Sequence, residues 1–282
     1  MAEVEAIGQL RSWRRQQREE GRRVGFVPTM GALHAGHLAL VDRARDLSDR
    51  VVMSVFVNPL QFGPGEDFTR YPRNLDRDRA LAEDRGVDLL FVPTVEALYP
   101  DGADTRVVPG TTADRWEGAV RAGHFAGVLT VVAKLFNLVQ PDVAVFGQKD
   151  IQQVTLVRRM VDDLDFPLRL VVAPTVRDPD GLALSSRNVY LDPPSRAQAL
   201  GLSRALAAAE QAFADGETNP AALEGRIRAI LAGFPGLKPD YIAIIDPERL
   251  EAVAAVVPGT IVALAARVGA TRLIDNTILG AH

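Results

Sequence analysis

The chemistry in this chain gathers where glycine, histidine, lysine and small polar residues fall side by side. Gly25–His37 reads GFVPTMGALHAGH. A strand enters, Pro28 is expected to end it, Gly31 permits a tight turn, and a helix is expected to begin near His34. Two histidines three residues apart, His34 and His37, then share one face of the first helical turn. Unpaired backbone N–H groups and the helix dipole favour an anion at that end. Gly36 has no Cβ, so a ligand can approach the backbone closely. Two imidazoles above a helix N-terminus can stabilise charge growing on a phosphate. A plainer reading makes one histidine the helix cap and the other a buried hydrogen bonder. A zinc pair is a third reading, but no further His, Cys or carboxylate stands at a ligand spacing nearby. The strand, proline and glycine turn ahead of the pair favour the phosphate reading.

Four other segments carry useful groups. Leu184-Ser185-Ser186-Arg187-Asn188 sets two hydroxyls beside a guanidinium, a combination suited to phosphate oxygens. Alone it also reads as an ordinary surface loop. Phe146–Gln153 (FGQKDIQQ) holds Lys149, one of only three lysines (with Lys134 and Lys238) among 32 basic residues, just after Gly147 and Gln148. Lys149 can serve as a point charge on phosphate, Asp150 suits a helix N-cap, and Gln153 is an uncharged donor and acceptor for a carboxylate or hydroxyl. Val57–Phe62 (VNPLQF) puts Gln61 after another strand. Arg121–Gly127 (RAGHFAG) holds His124 in a glycine-rich turn, where a buried turn histidine and a ligand contact are equally open. The fourth histidine, His282, is the last residue.

The elements that must position these groups follow from periodicity. Arg23–Val27, Val51–Val57, Val87–Val92, Asp142–Phe146 and Leu168–Ala173 are apolar on both faces, as buried parallel strands are. Leu38–Leu47, Leu75–Arg85, Val128–Val139 and Ile151–Leu164 repeat apolar residues at the helical period. This alternation predicts an α/β doubly wound parallel sheet, in which ligands bind at the carboxyl ends of strands. Pro28–Gly31, Asn58–Gln61 and Gly147–Asp150 sit at three such ends. After a polar link over 175–192, with a turn at Asp178–Gly181, come two helices near Pro194–Ala214 and Pro220–Ala232. Three strands near Tyr241–Ile245, Thr260–Ala266 and Arg272–Ile274 complete a smaller α+β domain. The expected domains are 1–175 and 176–282.

Composition narrows the function. Of 282 residues, 47% are apolar, which is ample for a core. The net charge is −4, and no basic run is backed by aromatic residues, so nucleic acid is not the expected ligand. The absence of cysteine excludes disulfides, thiol catalysis and thiolate metal sites. No apolar run reaches membrane-spanning length, and the N-terminus lacks the layout of a secretion signal. A cytoplasmic protein without membrane partners is expected.

In order between residues 24 and 276 stand VPTMGALHAGH, FVNPLQFGPGEDFTRYPR, GHFAGVLTVVAKLFNLVQPD, FGQKDIQQ, DGLALSSRNVYL and TRLIDN. Together they resemble the pantoate–beta-alanine ligase family of the HxGH nucleotidyltransferase superfamily. The resemblance implies a Rossmann-like N-terminal domain with the active site, a smaller C-terminal lid domain, and a homodimer. It implies joining of (R)-pantoate to beta-alanine with ATP and Mg²⁺, through a pantoyl adenylate, to give pantothenate, AMP and pyrophosphate. Met30, Gly31, Ala32, Leu33, His34, Ala35, Gly36 and His37 would bind ATP, with His37 the proton donor and His34 its partner. Gly147, Gln148, Lys149, Asp150, Val176, Leu184, Ser185, Ser186 and Arg187 would complete the ATP site. Lys149, Ser185 and Arg187 would join the histidines in catalysis. Gln61 and Gln153 would hold pantoate, with Gln61 also near beta-alanine.

Three positions depart from the common pattern: Gln148 for a frequent Glu, Ala122 for a frequent Pro, and Leu184 for a frequent Met. None removes a group with an assigned chemical role. Two rival readings remain. One is a cytidylyl- or adenylyltransferase of the same superfamily, which releases pyrophosphate but never AMP. The other is a nucleotide-sensing or tRNA-binding module, which binds ATP without turnover.

Overall fold

Runs of β-branched and aromatic residues become central strands here because both of their faces are covered. The computed structural model describes residues 1–280; Ala281 and His282, at the end of the expected second domain, lie outside them. The chain folds as two units. Met1–Gly147 and Leu156–Pro174 form the first; Gln148–Thr155 and the chain from Thr175 onward form the second. The short segment Gln148–Thr155 thus belongs with residues that follow it by twenty positions or more, which no local pattern announces.

In the first unit six parallel strands make one sheet: β1 (Ala2–Val4), β2 (Val24–Thr29), β3 (Arg50–Val55), β4 (Leu89–Phe91), β5 (Val143–Gly147) and β6 (Arg169–Ala173). Their order is β1-β4-β3-β2-β5-β6. After the edge strand β1, the chain winds one way from β2 through β3 to β4 and the other way from β5 to β6. The topological switch therefore falls between β2 and β5, where open α/β sheets place their ligands. Beside it, the C-terminal ends of the adjacent strands β3, β2 and β5 deliver Asn58–Gln61, Met30–His37 and Gly147.

Pro28 does not end its strand. It lies within β2, opposite Ser54 of β3. Val24 bonds towards β5, its carbonyl accepting the Asp142 N–H at 2.8 Å, while the Thr29 carbonyl accepts the Phe56 N–H from the β3 side. By alternation Pro28 faces β5, and pairing with β5 has already lapsed after Phe26. The missing N–H therefore breaks no ladder bond.

Helix Ala35–Leu47 follows β2 and buries Leu40, Val41 and Ala44 against Val27, Met53 and Val145. Helix His124–Val139 is apolar nearly all round and correspondingly buried. Helix Ile7–Glu19 escaped sequence reading, because its buried side includes Arg14 and Gln17 beside Leu10. Arg14 donates through Nε to the Gln140 carbonyl at 2.9 Å and through Nη2 to Asp142 at 3.1 Å, which explains a guanidinium on an inner face. β1 was too short to stand out from its surroundings.

The second unit packs helices Pro193–Ala214 and Pro220–Ala232 with an antiparallel sheet of β7 (Leu237–Ile245), β8 (Ile261–Val268) and β9 (Thr271–Ile278). Asp192 and Asn219 cap the two helices, each ahead of a proline at the first helical position. Ala199, Ala205 and Ala209 are fully buried, so the alanines of the first helix serve its close packing. The strands run longer than expected: in β7 the exposed Lys238 interrupts the apolar pattern yet pairs with Arg267, and Asp240 falls at a shift in register between Pro239 and Tyr241 beyond which pairing resumes. Among the described residues no helix is long and apolar enough to cross a membrane.

Candidate functional site

His34 is the N-cap of helix Ala35–Leu47, with extended backbone (φ −141°, ψ 173°). Its Nδ1 accepts the Gly36 N–H at 3.2 Å, and the Nδ1 of His37 accepts the His34 N–H at 3.4 Å. The two rings stack with centroids 4.0 Å apart and planes inclined by 34°. Because both Nδ1 atoms accept from the backbone, each neutral imidazole carries its proton on Nε2. The capping and phosphate readings of this pair are therefore compatible. Capping fixes the tautomer that leaves a donor on the far side of each ring.

The turn ahead of the histidines is tightly determined. Thr29 Oγ1 donates to the Ser54 carbonyl at 2.7 Å and accepts the Gly31 N–H at 3.1 Å. Gly31 (φ 82°) and Ala32 (φ 49°) both take left-handed backbone. Asp78, buried within helix Leu75–Asp84, accepts the N–H groups of Ala32 and Leu33, each at 2.8 Å. A Cβ at Gly31 would stand 2.8 Å from Asp78 Oδ2 and 2.9 Å from Val55, which accounts for glycine there. Sequence reading missed Asp78. The available signal was its place three after Leu75 and four before Ala82, on the helix's inner stripe. This geometry also corrects one expectation: the amides of Ala32, Leu33, His34 and Gly36 already donate within the protein. An anion must accordingly be met by the Nε2–H donors and the helix dipole rather than by loose loop amides.

Gln61 ends a short 3₁₀ turn, Pro59–Gln61, capped by Asn58. Asn58 Nδ2 donates to Gln61 Oε1 and to the Gly127 carbonyl, both at 3.1 Å, while Asn58 Oδ1 accepts from Tyr99 at 2.9 Å. Gln61 Nε2 in turn reaches the Met30 sulfur at 3.2 Å, joining two predicted site residues. The Gln61 carbonyl lies 2.8 Å from His124 Nδ1. Arg121, permanently a donor, stands 2.9 Å from His124 Nε2 and forms a 2.6 Å ion pair with Glu66. His124 must then accept at Nε2 and donate from Nδ1 to Gln61. Burial, followed by the charge of Arg121, pushes its pKa down to about 4. His124 is thus a neutral support for Gln61. Asn58 and Arg121 lie in segments already singled out in the sequence, though without these roles, and Glu66 joins them through structure alone.

The second unit carries the remaining predicted residues. Gln148–Asp150 form a 3₁₀ turn leading into helix Ile151–Asp163, so Asp150 precedes the helix through that turn; Gln153 is half-buried on the helix. Lys149 Nζ lies 3.7 Å from Asp150. Leu184 donates its N–H to the Val176 carbonyl at 3.0 Å. Ser185 caps the 3₁₀ turn Ser186–Tyr190, accepting the Arg187 N–H at 3.3 Å.

The first unit thus presents a doubly wound sheet whose switch-point strand leads into a histidine-capped helix, with a second histidine stacked on the cap. The family model described as pantoate-beta-alanine ligase matches residues 2–278. The chain belongs to the pantoate–beta-alanine ligase family. Pantothenate synthetase of Agrobacterium fabrum is 52% identical over 98% of this chain and 95% of its own length. That of Thermus thermophilus is 58% identical over 90% of this chain and 92% of its own. A crystal structure of pantothenate synthetase from Thermus thermophilus matches with a TM-score of 0.94 at 53% identity, covering 99% of both chains. Pantoate-beta-alanine ligase from Francisella tularensis, solved in complex with beta-gamma ATP and beta-alanine, matches with a TM-score of 0.83 at 35% identity, covering 100% of this chain and 99% of that one.

Proposed function

We propose that the stacked pair His34 and His37 carries the adenylating step of an ATP-driven ligation. The chain is a pantoate–beta-alanine ligase, condensing (R)-pantoate with beta-alanine through a pantoyl adenylate. A carboxylate with a pKa near 4 is already ionised at neutral pH, so its attack on phosphorus needs no general base. A bond forms from the pantoate oxygen to the α-phosphorus as the bond to pyrophosphate breaks. Catalysis then rests on in-line positioning and on meeting the phosphate charge. The Nε2–H groups of His34 and His37 donate hydrogen bonds to the phosphate oxygens, with no proton transferred in this step. Lys149, Ser185 and Arg187 supply further charge and hydrogen bonds to the nucleotide. Gln61 and Gln153 hold pantoate, and an amide suits that task because it fixes hydroxyl and carboxylate without a competing charge. The amine of beta-alanine next attacks the activated carbonyl, AMP leaves, and the amine proton passes to solvent.

Mg²⁺ belongs with the substrate, on the ATP phosphates, since this ion keeps several waters and is usually bound through phosphate. Among the described residues no three His, Cys, Asp or Glu side chains gather as a metal site. In the same reading residues 1–175 are catalytic, residues 176–282 act as a lid that keeps water from the adenylate, and the enzyme works as a cytoplasmic homodimer. The observation that carries the proposal is that both Nδ1 atoms of the histidine pair accept backbone N–H groups, from which the Nε2–H tautomer follows. The test is to assay AMP with ATP, Mg²⁺, pantoate and beta-alanine, omitting each in turn. AMP should require all of them. Pyrophosphate release without AMP would indicate a nucleotidyltransferase instead, and ATP binding without turnover a sensor.

A further inference from the structure

The motif Thr271–Asn276 has no part in the chemistry so far, yet its strand β9 buries two adjacent polar side chains. Asp275 and Asn276 are only 3% and 2% exposed. Such burial is unfavourable unless hydrogen bonds replace the lost water, and here they do. Asn276 Nδ2 donates to two successive carbonyls, those of Gln148 at 3.0 Å and Lys149 at 2.8 Å. Its Oδ1 accepts from Gln148 Nε2 at 3.3 Å. Asp275 receives both arms of the Arg177 guanidinium, at 2.6 and 2.9 Å, and the Asn276 N–H at 2.8 Å. Arg177 also donates to the Gly181 carbonyl at 3.2 Å and bridges to Ala183, while Val176 and Leu184 share the next hydrogen bond.

We propose that Asp275 and Asn276 are positioning residues for the nucleotide. From consecutive places on one strand, they hold the turn bearing Lys149 and the hairpin bearing Val176 and Leu184–Arg187 in a fixed relation. The proposal rests on the reading that those two segments bind ATP. A carboxamide nitrogen has two N–H groups, so Asn276 pins two consecutive peptide planes and sets the direction in which Lys149 leaves the backbone. Asp275, through a bidentate pair of fixed geometry, does the same for the base of the hairpin. A point charge and a hydroxyl loop contribute little to a phosphate unless their supports hold them to a fraction of an ångström. Neither residue needs to touch ATP.

The test uses the full chain with Asn276→Ala, Asn276→Asp and Asp275→Asn, and Lys149→Ala in parallel. Asn276→Asp preserves size but turns an oxygen towards the two carbonyls. KM values for ATP, pantoate and beta-alanine are measured with the melting temperature. Both Asn276 variants should raise KM for ATP about tenfold or more, the scale of leaving buried acceptors unmet, with KM for beta-alanine changed less than twofold. Asp275→Asn should fall between them and the wild type. An unchanged KM for ATP in a folded Asn276 variant overturns the proposal. So does an equal rise for all three substrates, or a failure of every Asn276 and Asp275 variant to fold, either of which makes the pair a structural element only. If Lys149→Ala impairs use of ATP while the Asn276 variants do not, the positioning role alone is wrong. If none of the four affects it, the ATP assignment is wrong as well.

Discussion

Asp78 accepts the backbone N–H of Ala32 at 2.8 Å and thereby holds a residue with a Cβ at φ 49°. Left-handed backbone at a non-glycine residue persists only where its surroundings over-determine it, and it commonly marks a functional turn. Here the second carboxylate oxygen holds Leu33, the next residue. The turn that presents His34 is in this way fixed by Asp78, together with the Thr29 hydroxyl on Gly31.

Asp78→Ala should therefore lower stability by about 2–4 kcal/mol, since two buried N–H donors lose their acceptor. Asp78→Asn, which keeps one oxygen, should lie between that variant and the wild type. Urea denaturation gives the ranking; an unchanged midpoint for Asp78→Ala would show that the turn holds itself.

Gly127 faces the turn bearing Gln61 so closely that an added Cβ would stand 2.1 Å from the Leu60 carbonyl oxygen and 2.7 Å from the Gln61 nitrogen. Gly127→Ala must push that turn aside. We expect a loss of about 1–3 kcal/mol from overpacking and a rise in KM for pantoate that exceeds any rise for ATP. Steady-state kinetics with each substrate varied supply the check. A variant with normal pantoate KM would detach Gln61 from pantoate binding.

His124 is held at about 4, below its ordinary 6.5, by burial and by Arg121. Around it stand Arg121, Glu66 and Glu117; Glu66, although burial opposes its ionisation, is kept below the usual carboxylate range by Arg121. The unfolded chain therefore binds a proton at this histidine before the folded one does. Its contribution to stability is complete above about pH 6.5 and is lost as pH falls towards 4, by about 3 kcal/mol. His124→Asn, neutral throughout, should lose correspondingly less over that window. Parallel pH–stability curves for the two proteins would count against a neutral His124.

Much of this was legible in the sequence because the relevant signals are local. The strand, turn and helix around Gly25–His37 announce themselves through a glycine, a buried apolar run and a three-residue spacing. The two C-terminal helices are legible as Pro194–Ala214 and Pro220–Ala232, the first in fact beginning one residue earlier, at Pro193 after its Asp192 cap. What stayed hidden is long-range. Asp78 serves a loop 45 residues away in sequence, and Asn276 serves carbonyls more than 120 away. Helix Ile7–Glu19 hid because Arg14 occupies an inner position by pairing with a carboxylate that only the fold brings near. In the sequence Pro28 marks a strand end, because a proline inside a central strand is costly unless one side of that strand is unpaired, and the pairing of β5 is not visible locally.

The central claim is that the histidine pair stabilises charge on the α-phosphate. Pantoate-dependent exchange of pyrophosphate into ATP, measured without beta-alanine, reports that step alone. His37→Ala should reduce the exchange rate by roughly 10²–10³-fold, the scale of losing one transition-state donor, in a protein whose melting temperature shows it to be folded. Exchange at the wild-type rate in that variant would contradict the account.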